Sequence, residues 1–126
     1  MSRRSPVWAH NGPAPLRLLV DGRPVADAWR ATTSSERRTG LLGTDALDGA
    51  LWIHRCSSVH TFGMRYPLDL AFVDRSGRVV AATAMRRARL GAPRVRARAV
   101  VELPAGRLGS WGITRGAVLT LAPPEG

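Results

Sequence analysis

The sixteen residues from His54 to Asp69, HRCSSVHTFGMRYPLD, hold two histidines, the only cysteine, a methionine, a tyrosine, two arginines and an aspartate. Gly63 and Pro67 make this run irregular, and irregular segments on a rigid scaffold are where binding and catalytic groups concentrate. Three chemistries compete for it. His54 and Cys56, two residues apart, would share one strand face, with His60 or Asp69 adding metal ligands. The paired spacings of structural zinc sites are missing, however, so no metal and no cofactor is expected. His60 oriented by a carboxylate would serve acid–base chemistry near neutral pH, and a Cys56–His60 nucleophilic pair would need a geometry that adjacency in sequence does not supply. The structural alternative is that His60 and Asp69 hydrogen-bond the backbone and pin a turn, since buried polar groups need partners in any fold.

Asp69 stands between Leu68 and Leu70 where a strand enters the core, so its carboxylate must be paired or solvated. Arg65 or an arginine from Arg94–Arg98 could pair with it. An arginine-lined pocket would equally receive a small anionic or polar ligand, because guanidinium forks match carboxylates and phosphates. The chain has neither a glycine-rich phosphate loop nor a Gly-x-Ser-x-Gly elbow.

The elements that must hold these residues read as strands. Leu16–Val20 and Val25–Ala28 flank Asp21-Gly22, the signature of a tight hairpin. Thr33-Ser34-Ser35-Glu36 is a capping box that predicts a short helix ending at Gly40 or Gly43. Ala50–Ile53 follows the Asp48-Gly49 turn. Leu68–Val73 and Val79–Ala82 flank Asp74–Gly77 as a second hairpin. Arg94–Leu103 alternates, with Val95, Ala97, Ala99, Val101 and Leu103 on one face, which predicts a half-buried strand closed by Pro104. Leu108–Ile113 predicts a helical turn and Ala117–Leu121 a last strand. Met1–Pro15 reads as a loose arm ahead of a single domain, 16–126. The fold class is therefore all-β or β-dominated, a sandwich or distorted barrel with one or two short helices.

A length of 126 residues and 44% hydrophobic content suit one soluble domain. No apolar run reaches the length of a membrane span, and no signal peptide is evident, so membrane insertion is not expected and the cytoplasm is the expected location. The formal charge is +10, and all 19 basic residues are arginine. Arginine without lysine, beside abundant Ala, Gly and Pro, is the composition of a GC-rich coding sequence. The dense Arg86–Arg98 stretch has no interleaved aromatics for base stacking, so no specific nucleic-acid binding is expected.

Three segments in order resemble family 192 of the domains of unknown function: Glu36–Leu42 (ERRTGLL), Val59–Asp74 (VHTFGMRYPLDLAFVD) and Val101–Gly106 (VELPAG). The likeness covers about residues 33–121. It implies a compact β-rich fold with an early short helix, and a family context that includes genes near pilus-assembly or secretion systems. The positions matching the strongest motif are Thr61, Met64, Pro67, Leu68 and Asp69, then Glu102. The chain departs from many members at Gly49-Ala50, Gly43-Thr44 and Arg65-Tyr66, so a ligand read there would differ. The expectation is a non-catalytic binding or accessory module whose pocket is lined by His60, Thr61, Met64, Arg65, Asp69 and Glu102, taking a small anionic or polar ligand or a protein partner. The rival is a small hydrolase or isomerase using His60 with Asp69 or Glu102. A non-specific nucleic-acid binder ranks third.

Overall fold

The structure is a computed structural model and describes residues 4–9, 15–41, 44–54, 66–85 and 96–124. Strands β1 (Leu16–Val20) and β2 (Arg23–Ala31) form the first hairpin around Asp21 and Gly22. Both turn residues take positive φ, 49° and 82°, as a two-residue turn between twisted strands requires. Helix α1 (Ser34–Thr39) starts at the expected capping box. Thr33 Oγ1 accepts from the Glu36 amide at 3.0 Å, and Glu36 Oε1 accepts from the Thr33 amide at 3.1 Å. β3 (Ala50–His54), β4 (Leu68–Val73), β5 (Val79–Met85), β6 (Ala99–Pro104), α2 (Arg107–Ser110) and β7 (Leu119–Ala122) complete the described elements.

All seven strands belong to one sheet in the order β5-β4-β6-β3-β2-β1-β7. Every neighbouring pair is antiparallel except β2–β3, which is parallel and joined through residues 32–49 with α1. A parallel neighbour needs such a crossover, so α1 must pass over one face of the sheet. The sheet curls until its edges meet at an Arg78–Val118 bridge. Backbone bonds flank it: Val79 N–H donates to Ala117 O at 2.8 Å, and Leu119 N–H to Gly77 O at 2.8 Å. Of the two expected architectures the sheet curls toward the barrel, its edges joined at the starts of β5 and β7. Gly77 sits at the seam with φ +86°, where a Cβ would strike the Leu119 carbonyl oxygen.

Alternation sorts the strand residues into two cores. The inner one takes Leu18, Val20, Ala28, Ala50, Ala71, Val73, Val79, Val101, Leu103 and Leu119, a row from every strand. Its many alanines and valines suit a narrow barrel. The outer one, over β3, β4 and β6, takes Leu51, Ile53, Leu68, Leu70, Phe72 and Val100, covered by Leu41 and Leu47 of the crossover and by Trp8, Trp29 and Tyr66. Two expectations are corrected by this second layer. β6 is buried on both faces rather than half-buried, since Val100 and Glu102 are 0% and 4% exposed. The strand also begins at Ala99, with Arg96–Arg98 in turn and bend and Ala97 in the outer core. Residues 4–9 of the expected loose arm are docked. Arg4 O accepts from the Asp48 amide at 2.8 Å, and Trp8 Nε1–H donates to Gly40 O at 3.0 Å.

Candidate functional site around Glu102

His60, Thr61, Met64 and Arg65 lie outside the described residues, as do Cys56 and Arg94. Asp69 and Glu102 are described, and the structure places them on opposite faces of the sheet. Asp69 pairs across with Leu103 of the inner core, whereas Glu102 pairs across with Leu51 and Leu70 of the outer core. The two acids of the expected pocket therefore do not share one face of the sheet. The reason is the two-residue period of a strand, which sends Asp69 and its neighbour Leu70 to opposite sides.

Asp69 is buried, and its Oδ2 accepts from the Gly106 and Leu108 amides, both at 3.0 Å. It thus fixes the start of α2, whose first amides have no partners within the helix. Gly106, at φ 88°, brings the chain round so that these amides face the carboxylate. Sequence reasoning expected an arginine partner or a pinned turn; the turn is what Asp69 holds.

Glu102 differs. It is 4% exposed, and among the described residues no hydrogen-bond or ion-pair partner reaches its carboxyl. Burial alone pushes its pKa up to about 7. Desolvation disfavours the charged form, so near neutral pH this carboxyl is poised between acid and carboxylate. A Cβ at Gly40 would lie 3.9 Å from Glu102 Oε1, which puts the C-cap of α1 directly over the carboxyl.

Two further polar groups border the same layer. Thr44 is buried, its hydroxyl donates to Leu41 O at 2.5 Å, and its Oγ1 lies 2.6 Å from Tyr66 Oη. A threonine hydroxyl has one proton. With that proton on Leu41 O, Tyr66 must donate to Thr44, which leaves the Tyr66 oxygen able to accept from another molecule. Burial raises the Tyr66 pKa, the Thr44 bond offsets part of the rise, and the charges of Glu102 and Asp45 push it further up. The phenol therefore stays neutral at physiological pH. Thr44 and Tyr66 carried no signal at the sequence level beyond being departures from the related family's pattern.

This arrangement can bind by hydrogen bonding: Glu102 offers an acid that gives or accepts a proton, and Tyr66 offers an acceptor. Among the described residues no histidine joins it, since His54 is exposed at the end of β3, and no group of three or more His, Cys, Asp or Glu gathers to hold a metal. The described arginines are spread over several elements, and Arg30 on β2, Arg75 in the β4–β5 turn, Arg96 before β6 and Arg115 before β7 are exposed. No helix among the described residues is long and apolar enough to cross a membrane.

Two solved structures share this fold. A protein of unknown function from Novosphingobium aromaticivorans superposes with a TM-score of 0.76 at 23% identity, covering 95% of this chain and 92% of that one. A Sinorhizobium meliloti protein described as "a putative transcription regulator" superposes with a TM-score of 0.73 at 19% identity, covering 86% and 94%. At such identities the likeness speaks to fold alone. Among curated proteins none matches the chain. The model of DUF192, described as uncharacterized ACR, matches residues 17–121, from the first strand to the last, and the chain belongs to this family of domains of unknown function.

Proposed function

We propose that this protein is a non-catalytic binding module that takes a small polar ligand against Glu102, beside Tyr66 and Gly40. The observation that carries the reading is a buried carboxyl with no partner among the described residues. Burying such a group costs free energy that burying a leucine would not. Carboxyls with strongly perturbed pKa values concentrate at functional sites. A small hydrolase or isomerase would need a base held by a partner carboxylate. Asp69 is committed to two amides on the opposite face, so Glu102 alone is left for that role. An accessory role of the kind the family's gene context implies suits a binding module.

The test is an NMR titration of the full chain with a panel of small amides, alcohols, amines and carboxylates. The reading expects at least one to shift the Gly40, Thr44 and Tyr66 amides saturably, and to lose that effect in Glu102→Leu. A panel without saturable shifts, or equal binding by Glu102→Leu, would remove it.

A further inference from the structure

A separate cleft of about 590 Å³ opens where β1, β2 and the 47–49 turn approach α2, lined by Arg4, Arg17, Asp27, Asp48, Arg107 and Trp111. Glu102 and Tyr66 do not line it. Arg17 is already matched, since its Nη1 lies 2.7 Å from Asp27 Oδ1. Arg4 and Arg107 are exposed, and among the described residues neither has a carboxylate within ion-pair distance. Asp48 also faces the cleft, so three guanidiniums stand against two carboxylates and the excess is a single positive charge.

The backbones carrying these groups are anchored. Arg4 O holds the Asp48 amide. Arg107 opens α2, whose start Asp69 fixes. Trp111 follows four residues after Arg107, its amide donating to Arg107 O at 2.9 Å and its carbonyl accepting from Arg23 Nη2 at 3.3 Å. Arg107 and Trp111, at the two ends of α2, both line the cleft. Val25, Leu47 and Pro104 add apolar lining. Guanidiniums without a carboxylate partner among the described residues, beside an indole in a mainly polar lining, suit an anion that carries a flat body. Guanidinium forks bind carboxylate or phosphate, and the indole covers a flat apolar body. Asp48 disfavours densely charged polyanions.

We propose that this cleft is a second binding site, for a small organic anion: one carboxylate or phosphate monoester group carried on an aromatic or apolar body. The anion lies between Arg4 and Arg107, and the body rests on Trp111.

The experiment titrates the full chain with phenyl phosphate, inorganic phosphate and phenol, read by the four indole N–H resonances in NMR. Phenyl phosphate is expected to saturate, to move the Trp111 indole most, and to bind more tightly than either half. Arg4→Gln with Arg107→Gln should weaken it about tenfold, as loss of charge-assisted bonds implies. Arg75→Gln with Arg115→Gln removes the same charge elsewhere and should leave the affinity within about twofold. Trp111→Leu should abolish the advantage over inorganic phosphate. Equal weakening by the two arginine pairs, unsaturable binding, or saturation without a Trp111 shift would each overturn the proposal. Glu102→Leu should bind phenyl phosphate like the native chain, so this site and the Glu102 site fail or survive separately.

Discussion

Ionising Glu102 inside the fold has a cost that urea melts can read. Burial pushes its pKa in the folded chain up to about 7 from an ordinary 4.5. Because the folded pKa is the higher, the folded chain binds more protons than the unfolded chain between these values. Stability therefore falls as pH rises from about 4.5 to about 7 and is flat above. The full window corresponds to about 3 kcal/mol, and the portion between pH 5 and pH 8 to about 2 to 3 kcal/mol. Glu102→Gln and Glu102→Leu remove the titration while keeping similar bulk. Each should lose this slope, and at pH 8 Glu102→Leu should be at least as stable as the native chain, because an apolar group of similar size replaces a buried charge that has no partner among the described residues. Urea midpoints and slopes at the two pH values supply the numbers, and the native-minus-variant difference cancels every other group. Glu36 and Asp74, whose pKa values are held below the usual carboxylate range by hydrogen bonds to Thr32 and Thr33 and to Ser76 and Arg78, act at lower pH and are common to all the chains. Identical pH slopes for native and Glu102→Gln proteins would show that the carboxyl is paired or solvated, and the proposed site would lose its foundation.

Asp69→Ala should cost about 2 to 3 kcal/mol by stranding the Gly106 and Leu108 amides; a loss below about 0.5 kcal/mol in urea melts would refute its role at α2. Gly77→Ala should destabilise by more than about 2 kcal/mol, since positive φ and the Leu119 carbonyl both oppose a Cβ at the seam. Hydrogen exchange should then show faster exchange of the Val79 and Leu119 amides, and unchanged protection there would contradict closure by that bridge. Thr33→Ala should cost about 1 kcal/mol through loss of the capping box, and a neutral result in thermal melts would mean that packing alone holds α1.

Local rules made much of this protein legible in its sequence. The Asp21-Gly22 hairpin, the Thr33–Glu36 capping box and the Asp74–Gly77 turn each depend on a few adjacent residues, whose φ preferences and side-chain hydrogen bonds act within one turn of chain. The family likeness was legible for the same reason, in contiguous motifs. The side of the sheet on which a residue ends up was not. The alternation at Arg94–Leu103 correctly put Val101 and Leu103 inside, but it could not reveal a second layer covering Val100 and Glu102. That layer comes from Leu41 and Leu47 of the β2–β3 crossover together with Trp8 and Tyr66, which lie far from it along the chain. Nor does spacing tell whether two acids share a pocket. Asp69 and Glu102 looked like candidates for one site until register sent the first to the amides of α2 and the second beneath Gly40. Sequence fixes which strands form and which faces are apolar; which carboxyl ends up buried depends on which strands pair and what packs over them, because burial is set by neighbours distant along the chain.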